Sequence, residues 1–445
     1  MSKDAARPAL DVLYQQLLSR AIQYFLPSSQ LEVVGRAGEF RPQLVLQTAA
    51  DSLIFEWLGN RYALTNHKAL SDHEQRMLVS IGTFLTTRYE LLTHQEITGR
   101  NFPIFGGLIE DRYVSAFLEG RVFQDVQSAA TLPDRVSEAI EVLRISALSS
   151  YEDKRISTGA LLFGSQQDAC HALPALPAQA LPYSSELTSI RSFHRICDGL
   201  RTLALVDLNG LMVELIDVQE WAQAFSEMEL PVPTARRYRT HCQATLCGGH
   251  LCLVLTPNGE IKIFGEGVQQ FSFFDGRWHL TDAVAKYKVW EEAIGRADLA
   301  ERLFAAGLNL AEERRGGMFV VLEQPRHTRR LVSGLDLLGI DRQKKAGAKS
   351  QLHYLLRETR VTELSTAVLE SIAQIDGSVV VDRDSRLLAF GAILRQRTRL
   401  EADDEIGEGG RTAAAIGASR FGAVLMVSEG GLLSFYEKGH CVWTL

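Results

Sequence analysis

Residues 409–431 read GGRTAAAIGASRFGAVLMVSEGG. Gly409 and Gly410 lead into Arg411, Thr412 and a run of alanines, the composition of a loop entering a helix N-terminus. Unpaired amides, the positive end of a helix dipole and a guanidinium fork make a competent phosphate site at such a place. A capped helix with a surface arginine uses the same letters. The run that follows, Ala423–Val427, is apolar at every position, as in a strand buried on both faces. Ser428-Glu429-Gly430-Gly431 closes it, either as a strand-end hairpin or as a turn that offers Glu429 to a metal.

Two further runs of this kind lie upstream. Met318–Leu322 follows Gly316-Gly317, and Ser378–Val381 follows Asp376-Gly377. A carboxylate at a strand edge, followed by glycine, suits a metal beside a phosphate, because glycine lets the backbone approach while the aspartate holds the cation. A plain Asp-Gly turn is the alternative. At Thr281-Asp282, both able to cap a helix, Val284, Tyr287, Trp290, Ala293 and Ile294 begin to recur at three and four. That spacing predicts one long helical stretch to Arg314-Arg315, ended by Gly316-Gly317. Strand and helix alternate from there, which predicts a mixed-sheet α/β domain over residues 281–445.

In order and spacing, these pieces are specific. RGGMFVVLEQ, LESIAQIDGSVVVDRDSRLLAFGAIL and GGRTAAAIGASRFGAVLMVSEGGLLSFYEKGH together resemble the diadenylate cyclase domain family, over about residues 285–440. The domain also occurs in the bacterial DNA-integrity-scanning protein and in membrane-bound cyclases. The resemblance implies condensation of two ATP molecules into cyclic di-AMP by two domains meeting face to face, each 3′-hydroxyl attacking the other's α-phosphate. It implies that Asp376 binds a catalytic Mg²⁺ or Mn²⁺ and orients the hydroxyl, with Glu429 as a second metal ligand. Gly377 and Ser378 would approach the nucleotide, Leu394 in a strand Leu387–Leu394 would line the adenine, and Gly410, Arg411, Thr412 and Ser428 would hold phosphates.

Several positions depart from the family's pattern. Ser378 stands for Ala in Asp-Gly-Ala, Thr412 and Ala413 for His and Arg in Arg-His-Arg, and Gly430 for the second Glu in Ser-Glu-Glu. Each lost charge-assisted bond to phosphate is worth about 1.5–3 kcal/mol, so two such losses slow turnover by roughly two to four decades unless something compensates. The basic residues Arg326, Arg329, Arg330, Arg342, Lys344, Lys345 and Lys349 are a source of replacement cations or a solvated loop. A second function follows from the same substitutions: a catalytically silent nucleotide-binding sensor or scaffold on this fold.

The upstream 280 residues read as α+β sensor-like domains, one over 1–130 and a β-rich second one over 131–280. Leu10, Leu13, Tyr14, Leu17, Ala21 and Phe25 make an apolar helical stripe, closed by Pro27. Strand-like segments follow around Leu31–Leu46 and through Leu53–Leu64, with Gly59-Asn60 as a turn signal. Ser71 and Glu74 fit a capping box ahead of Met77, Leu78, Ile81, Leu85, Arg88 and Leu92. Pro174, Pro177 and Pro182 mark an exposed connector. Thr202–Val206, Leu211–Ile216, His250–Leu255, Glu260–Phe264 and Val268–Phe274 read as strands, with turns at Asn209-Gly210, Asn258-Gly259 and Asp275-Gly276. His241, Cys242, Cys247, His250 and Cys252 invite a zinc reading, but no paired knuckle spacing is present, and Cys252 sits in an apolar run where cysteine is usually core.

Composition bounds the rest. The chain has 445 residues, 46% hydrophobic and 23% charged, with a formal charge of -7. A disordered or collagenous chain is excluded, and so mildly acidic a surface, without a basic helix, makes DNA an unlikely partner. Six scattered cysteines form no disulfide framework. Asp11, Gln15, Gln16 and Arg20 break the apolar core a signal peptide needs, and no run has the length of a membrane span. The expectation is a cytoplasmic homo-oligomer that pairs through its cyclase domains and takes an unidentified signal, small molecule or protein, at its N-terminal region.

Overall fold

The structure is a computed structural model, and it describes residues 3–37, 44–48, 53–66, 69–93, 105–151, 154–165, 173–333, 337–338, 355–395 and 410–445. Gly409, the acidic stretch 401–408 and the basic residues Arg342, Lys344, Lys345 and Lys349 lie outside the described residues. The chain forms two compact units, Met1–Leu230 with Thr240–Asp282, and Pro231–Arg239 with Ala283–Leu445. The division expected at residue 130 falls within the first unit, whose buried apolar cluster runs from Tyr14 to Trp278. Among the described residues, no helix is long and apolar enough to cross a membrane.

The first unit opens with the helix Lys3–Phe25, which buries Tyr14, Leu18, Ala21, Ile22 and Phe25. Leu13, placed above in the apolar stripe, is 48% exposed, and Leu18 and Ile22 take the core positions. Tyr89 donates its hydroxyl to Asp11 at 2.7 Å, tying this helix to the next. Strands β1 (Ser29–Arg36), β2 (Val45–Thr48), β3 (Leu53–Trp57) and β4 (Asn60–Asn66) form an antiparallel sheet in the order β1-β4-β3-β2. The β3–β4 turn is Leu58-Gly59, one residue earlier than the turn signal placed it. Both residues have positive φ, 44° and 75°, in the two-residue turn whose twist matches the flanking strands. The capping box closes as expected: the Glu74 amide donates to Ser71 Oγ (3.1 Å) and the Ser71 amide to Glu74 Oε2 (2.8 Å). It starts the helix Asp72–Thr93, which buries Met77, Leu78, Ile81 and Leu85.

After the helices Ile109–Leu118 and Arg135–Ala147, the short ladder β5 (Ser150–Tyr151) and β6 (Lys154–Arg155) precedes an eight-stranded sheet. Its members are β7 (Thr158–Leu162), β8 (Leu181–Pro182), β9 (Thr202–Val206), β10 (Leu211–Asp217), β11 (Leu251–Leu255), β12 (Ile261–Gly265), β13 (Val268–Phe274) and β14 (Arg277–Leu280). They run in the order β14-β13-β12-β11-β7-β9-β10-β8, with β7 and β9 parallel. The proline-rich connector supplies only β8, an exposed two-residue edge where proline needs no ladder donor. His241, Cys242 and Cys252 are buried within this unit, and among the described residues no three His, Cys, Asp or Glu side chains gather to hold a metal.

The second unit is an α/β domain on a mixed sheet. Its strands are β15 (Gly317–Leu322), β16 (Ser378–Asp382), β17 (Leu387–Ala392), β18 (Gly422–Val427), β19 (Leu433–Glu437) and β20 (His440–Thr444), in the order β17-β16-β15-β18-β19-β20. The three apolar runs singled out in the sequence are the neighbours β16, β15 and β18, buried at every position. β15 and β16 are parallel, and the remaining pairs antiparallel.

The long helical stretch is two helices, Ala283–Ile294 and Ala297–Glu312, parted at Gly295, which has φ 68°. The second does not end on Gly316-Gly317. It ends at Arg314 (φ 52°), whose amide donates to Ala311 O while that of Arg315 donates to Leu310 O, the Schellman pattern that satisfies the last carbonyls.

The strap Pro231–Arg239 belongs to this unit and holds two of its helices. Asn309 accepts from the Arg236 amide at 2.7 Å and donates to Glu370 Oε1 at 2.6 Å, and Arg236 Nη2 donates to Glu370 Oε2 at 2.8 Å. Glu370 is 7% exposed at its side chain. Asn309→Ala removes two of these bonds and leaves a buried carboxylate with a single partner, so it should destabilise the second unit by about 2–4 kcal/mol. A urea unfolding midpoint shifted by less than about 0.5 kcal/mol equivalent would show that the strap is not structural.

Candidate functional site

At one end of the second unit's sheet, β15 and β16 begin and β17 and β18 finish. The helix Gly410–Ser419 starts there too. Between these ends opens a cavity of about 550 Å³ lined by Asp376, Gly377, Ser378, Leu394, Gly410, Arg411, Thr412, Ser428 and Glu429. All nine site residues expected from the sequence thus face one space, although they come from four separate chain segments. Met318, Ala392, Ile393, Ala414 and Met426 add apolar wall. The volume is that of an ordinary small-molecule site.

The individual side chains are held for different reasons. Gly377 has φ 122°, and a Cβ there would lie 2.6 Å from Ala392 N and Gly391 C. Close approach to β17 therefore requires this glycine, whatever binds in front of it. Ser378 is 2% exposed and donates its hydroxyl to Ala392 O at 3.0 Å, which ties the first residue of β16 to the last of β17. Leu394 lies two residues past the end of β17, because that strand stops at Ala392 and not at Leu394. It packs with Met318, Leu331, Val332 and Met426 in a small apolar cluster under the cavity. Asp376 is exposed at the mouth.

Ser428-Glu429-Gly430-Gly431 is a hairpin end. The Ser428 Oγ accepts from the Leu432 amide at 3.0 Å, and the Gly431 amide donates to Ser428 O at 3.1 Å. Gly431, at φ 91°, approaches Ala311 O, so glycine is needed there. Gly430 is different: a Cβ at that position would meet only Ser428 Oγ, at an ordinary 3.6 Å.

Arg411 sits in the first turn of its helix, 34% exposed at the side chain, with Nη1 3.6 Å from Glu429 Oε1. Its guanidinium rests on Gly316, where a Cβ would overlap Nη1 and Cζ. Sequence reading gave Gly316 to the end of a helix, but the structure uses it as the seat of this arginine. The signal was there, a glycine pair in front of a buried strand, but nothing local distinguishes the two uses.

No protein-family model and no curated protein matches the sequence. Among solved structures, the chain is similar to a hypothetical membrane spanning protein from Bacillus cereus, at 23% identity over 36% of this chain and 70% of that one, with a TM-score of 0.26. It is also similar to a double mutant of DacA from Staphylococcus aureus, at 17% identity over 35% of this chain and 87% of that one, with a TM-score of 0.21. Likeness at that level carries no functional argument. The cavity does.

Because the atoms a Gly316→Ala methyl would meet belong to the far end of a flexible side chain, the substitution should leave the melting temperature within a few degrees of wild type while displacing Arg411. On the expectation from the sequence that this cavity takes ATP, binding measured by calorimetry should then weaken about tenfold, as one charge-assisted hydrogen bond is worth, and Arg411→Ala should do the same. An unchanged affinity in both variants would remove Arg411 from the site.

Proposed function

We propose that the second unit is a diadenylate cyclase, condensing two ATP into cyclic di-AMP under the control of the first unit. The observation that carries the reading is the convergence of the nine residues on one cavity, with carboxylates, a guanidinium and a helix N-terminus around an apolar wall. In this reading the purine lies against Leu394, Met318 and Met426, and the phosphates lie toward Arg411, Thr412, Gly410 and Ser428. The N-terminal amides of the helix and the guanidinium stabilise anionic oxygen.

Asp376 and Glu429 are the residues that would hold Mg²⁺ or Mn²⁺. Two carboxylates, without a third protein ligand among the described residues, would fit a cation completed by phosphate oxygens and water, the usual way such ions are held beside a nucleotide. The cation would neutralise charge building up on the α-phosphate. In each half-reaction, the 3′-hydroxyl of one ATP attacks the α-phosphorus of the other, a phosphodiester bond forms, and the bond to pyrophosphate breaks. Two such steps close the ring and release two pyrophosphates. One cavity holds one ATP, so the reaction needs a second copy of the unit, and specific activity should rise with protein concentration.

A second reading rests on a different observation. Thr412, Ala413 and Gly430 bring no charge to the cavity, and Arg411 has Glu429 as its neighbour. A silent nucleotide sensor would have this arrangement. Incubation of the purified protein with ATP and Mg²⁺ or Mn²⁺, followed by mass spectrometry, separates the two. The cyclase reading expects cyclic di-AMP from wild type and none from Asp376→Asn. ATP bound without product under either metal would overturn the cyclase and leave the sensor.

Gly430→Glu supplies the missing second carboxylate at a position with room for a side chain. On the cyclase reading it should tighten the apparent metal requirement several-fold in the same assay, and an unchanged metal titration would show that position 430 does not face the cation.

A further inference from the structure

A second polar cavity, of about 280 Å³, lies wholly within the first unit, beyond the ends of the parallel strands β7 and β9. Ligands in sheets with parallel strands gather at the carboxyl ends of those strands. Here the carbonyls just past the two strands, Phe163 O and Asp207 O, both accept from Arg135 Nη1, at 2.8 and 2.7 Å. Arg135 is 4% exposed. Its Nη2 and Nε grip the carboxylate of Glu119 at 2.8 and 3.2 Å. Arg121 approaches the same carboxylate, Nε to Oε1 at 2.5 Å, and donates from Nη2 to Leu208 O at 3.3 Å.

Two guanidiniums therefore share one carboxylate, and charge in the cavity does not cancel. Its wall carries Arg76, Arg121 and Arg135 against Glu119 and Glu266, an excess of one positive charge. Glu266 is 63% exposed at its side chain, so water screens it, whereas Glu119 is 9% exposed and already committed to two arginines. His250, also in the wall, accepts the Gly164 amide on Nδ1 at 2.9 Å, which fixes the glycine backbone there. Glycines 120, 164, 249 and 265 bring backbone to the wall with no side chain in front of it.

We propose that this cavity binds a small anion, a metabolite carrying a phosphate or carboxylate, with Arg121 as its primary contact. Arg121 is the exchangeable group. Its side chain is 29% exposed, and when it turns toward a ligand Glu119 stays paired through both nitrogens of Arg135. Arg135 is the fixed group, locked by two carbonyls and supplying positive charge from beneath. The polar wall and the volume, about half that of the cavity in the second unit, suit a compact anion and not a dinucleotide or a lipid chain. The proposal stands independently of the cyclase reading.

Calorimetry on the full chain, with inorganic phosphate and separately with succinate, tests it. Arg411→Met is the background, so that phosphate captured by the second unit does not contribute. The expected result is saturable binding of at least one of the two anions in that background. Adding Arg121→Met should weaken it at least tenfold, and Ser165→Trp, a bulky side chain at an exposed position of the wall, should abolish it. Saturation by phosphate alone or by succinate alone identifies the anionic group. Should Arg121→Met lower the melting temperature, Ser165→Trp decides, since it touches no ion pair. The proposal is overturned by no binding of either anion up to about 10 mM in the Arg411→Met background, or by binding that Ser165→Trp leaves intact. Phosphate bound by wild type and lost with Arg411→Met alone belongs to the second unit, and, where succinate does not bind either, overturns the proposal.

Discussion

β16, β15 and β18 lie side by side with no residue exposed, and the second unit is organised around that constraint. A strand buried on both faces has little room for polar side chains in its interior, and the two that β16 carries, Ser378 and Asp382, are its end residues. Chemistry has to stand at the strand ends, where water and chain reversals are. The close packing that buries the strands also fixes those ends. Gly422 presses on Val321 O, and Gly377 on the backbone of Gly391 and Ala392, contacts that any Cβ would prevent. The positions of Asp376 and Ser428 follow, since each lies a residue or two outside a strand whose register cannot slip without moving an apolar side chain out of the core.

That architecture explains which parts were legible in the sequence. Continuous apolar runs are read without knowledge of their neighbours, so all three central strands were visible, as were the turns at Asn258-Gly259 and Asp275-Gly276, where positive φ leaves glycine little competition. Asp376, Gly377, Ser428 and Glu429 stood out in the sequence because they adjoin those runs. What failed was whatever depended on a distant contact. Leu13 and Leu18 are equally apolar, and only tertiary packing decides which is covered. The helix ending at Glu312 used Arg314 in the left-handed region although Gly316 stood two residues on, because amides of residues 314 and 315 suffice for the last carbonyls. Gly316 was then left for Arg411, far along the chain, a use no local pattern contains.

Magnitudes decide what Arg411 does when a ligand arrives. Its neighbour Glu429 is 83% exposed, and the pair at 3.6 Å is of the surface kind, worth about 0–1 kcal/mol. A charge-assisted bond to a phosphate oxygen is worth about 1.5–3 kcal/mol. On the proposed reading an anion would therefore win the arginine, and the glutamate would be released beside the same cavity, where a cation accompanying the phosphates would require a ligand. The two charges hold each other weakly enough to exchange partners, and closely enough that neither has to travel.

The same logic separates the arginines of the two units. Arg135 spends its nitrogens on two carbonyls and a buried carboxylate, in a setting where removing any partner leaves an unpaired group in low dielectric, so it cannot move. Arg121 and Arg411 have one carboxylate neighbour each, and that carboxylate has somewhere else to go: Glu119 to Arg135, and Glu429 to water. The number of buried partners, more than the identity of the side chain, determines which guanidinium is scaffold and which can answer to a ligand.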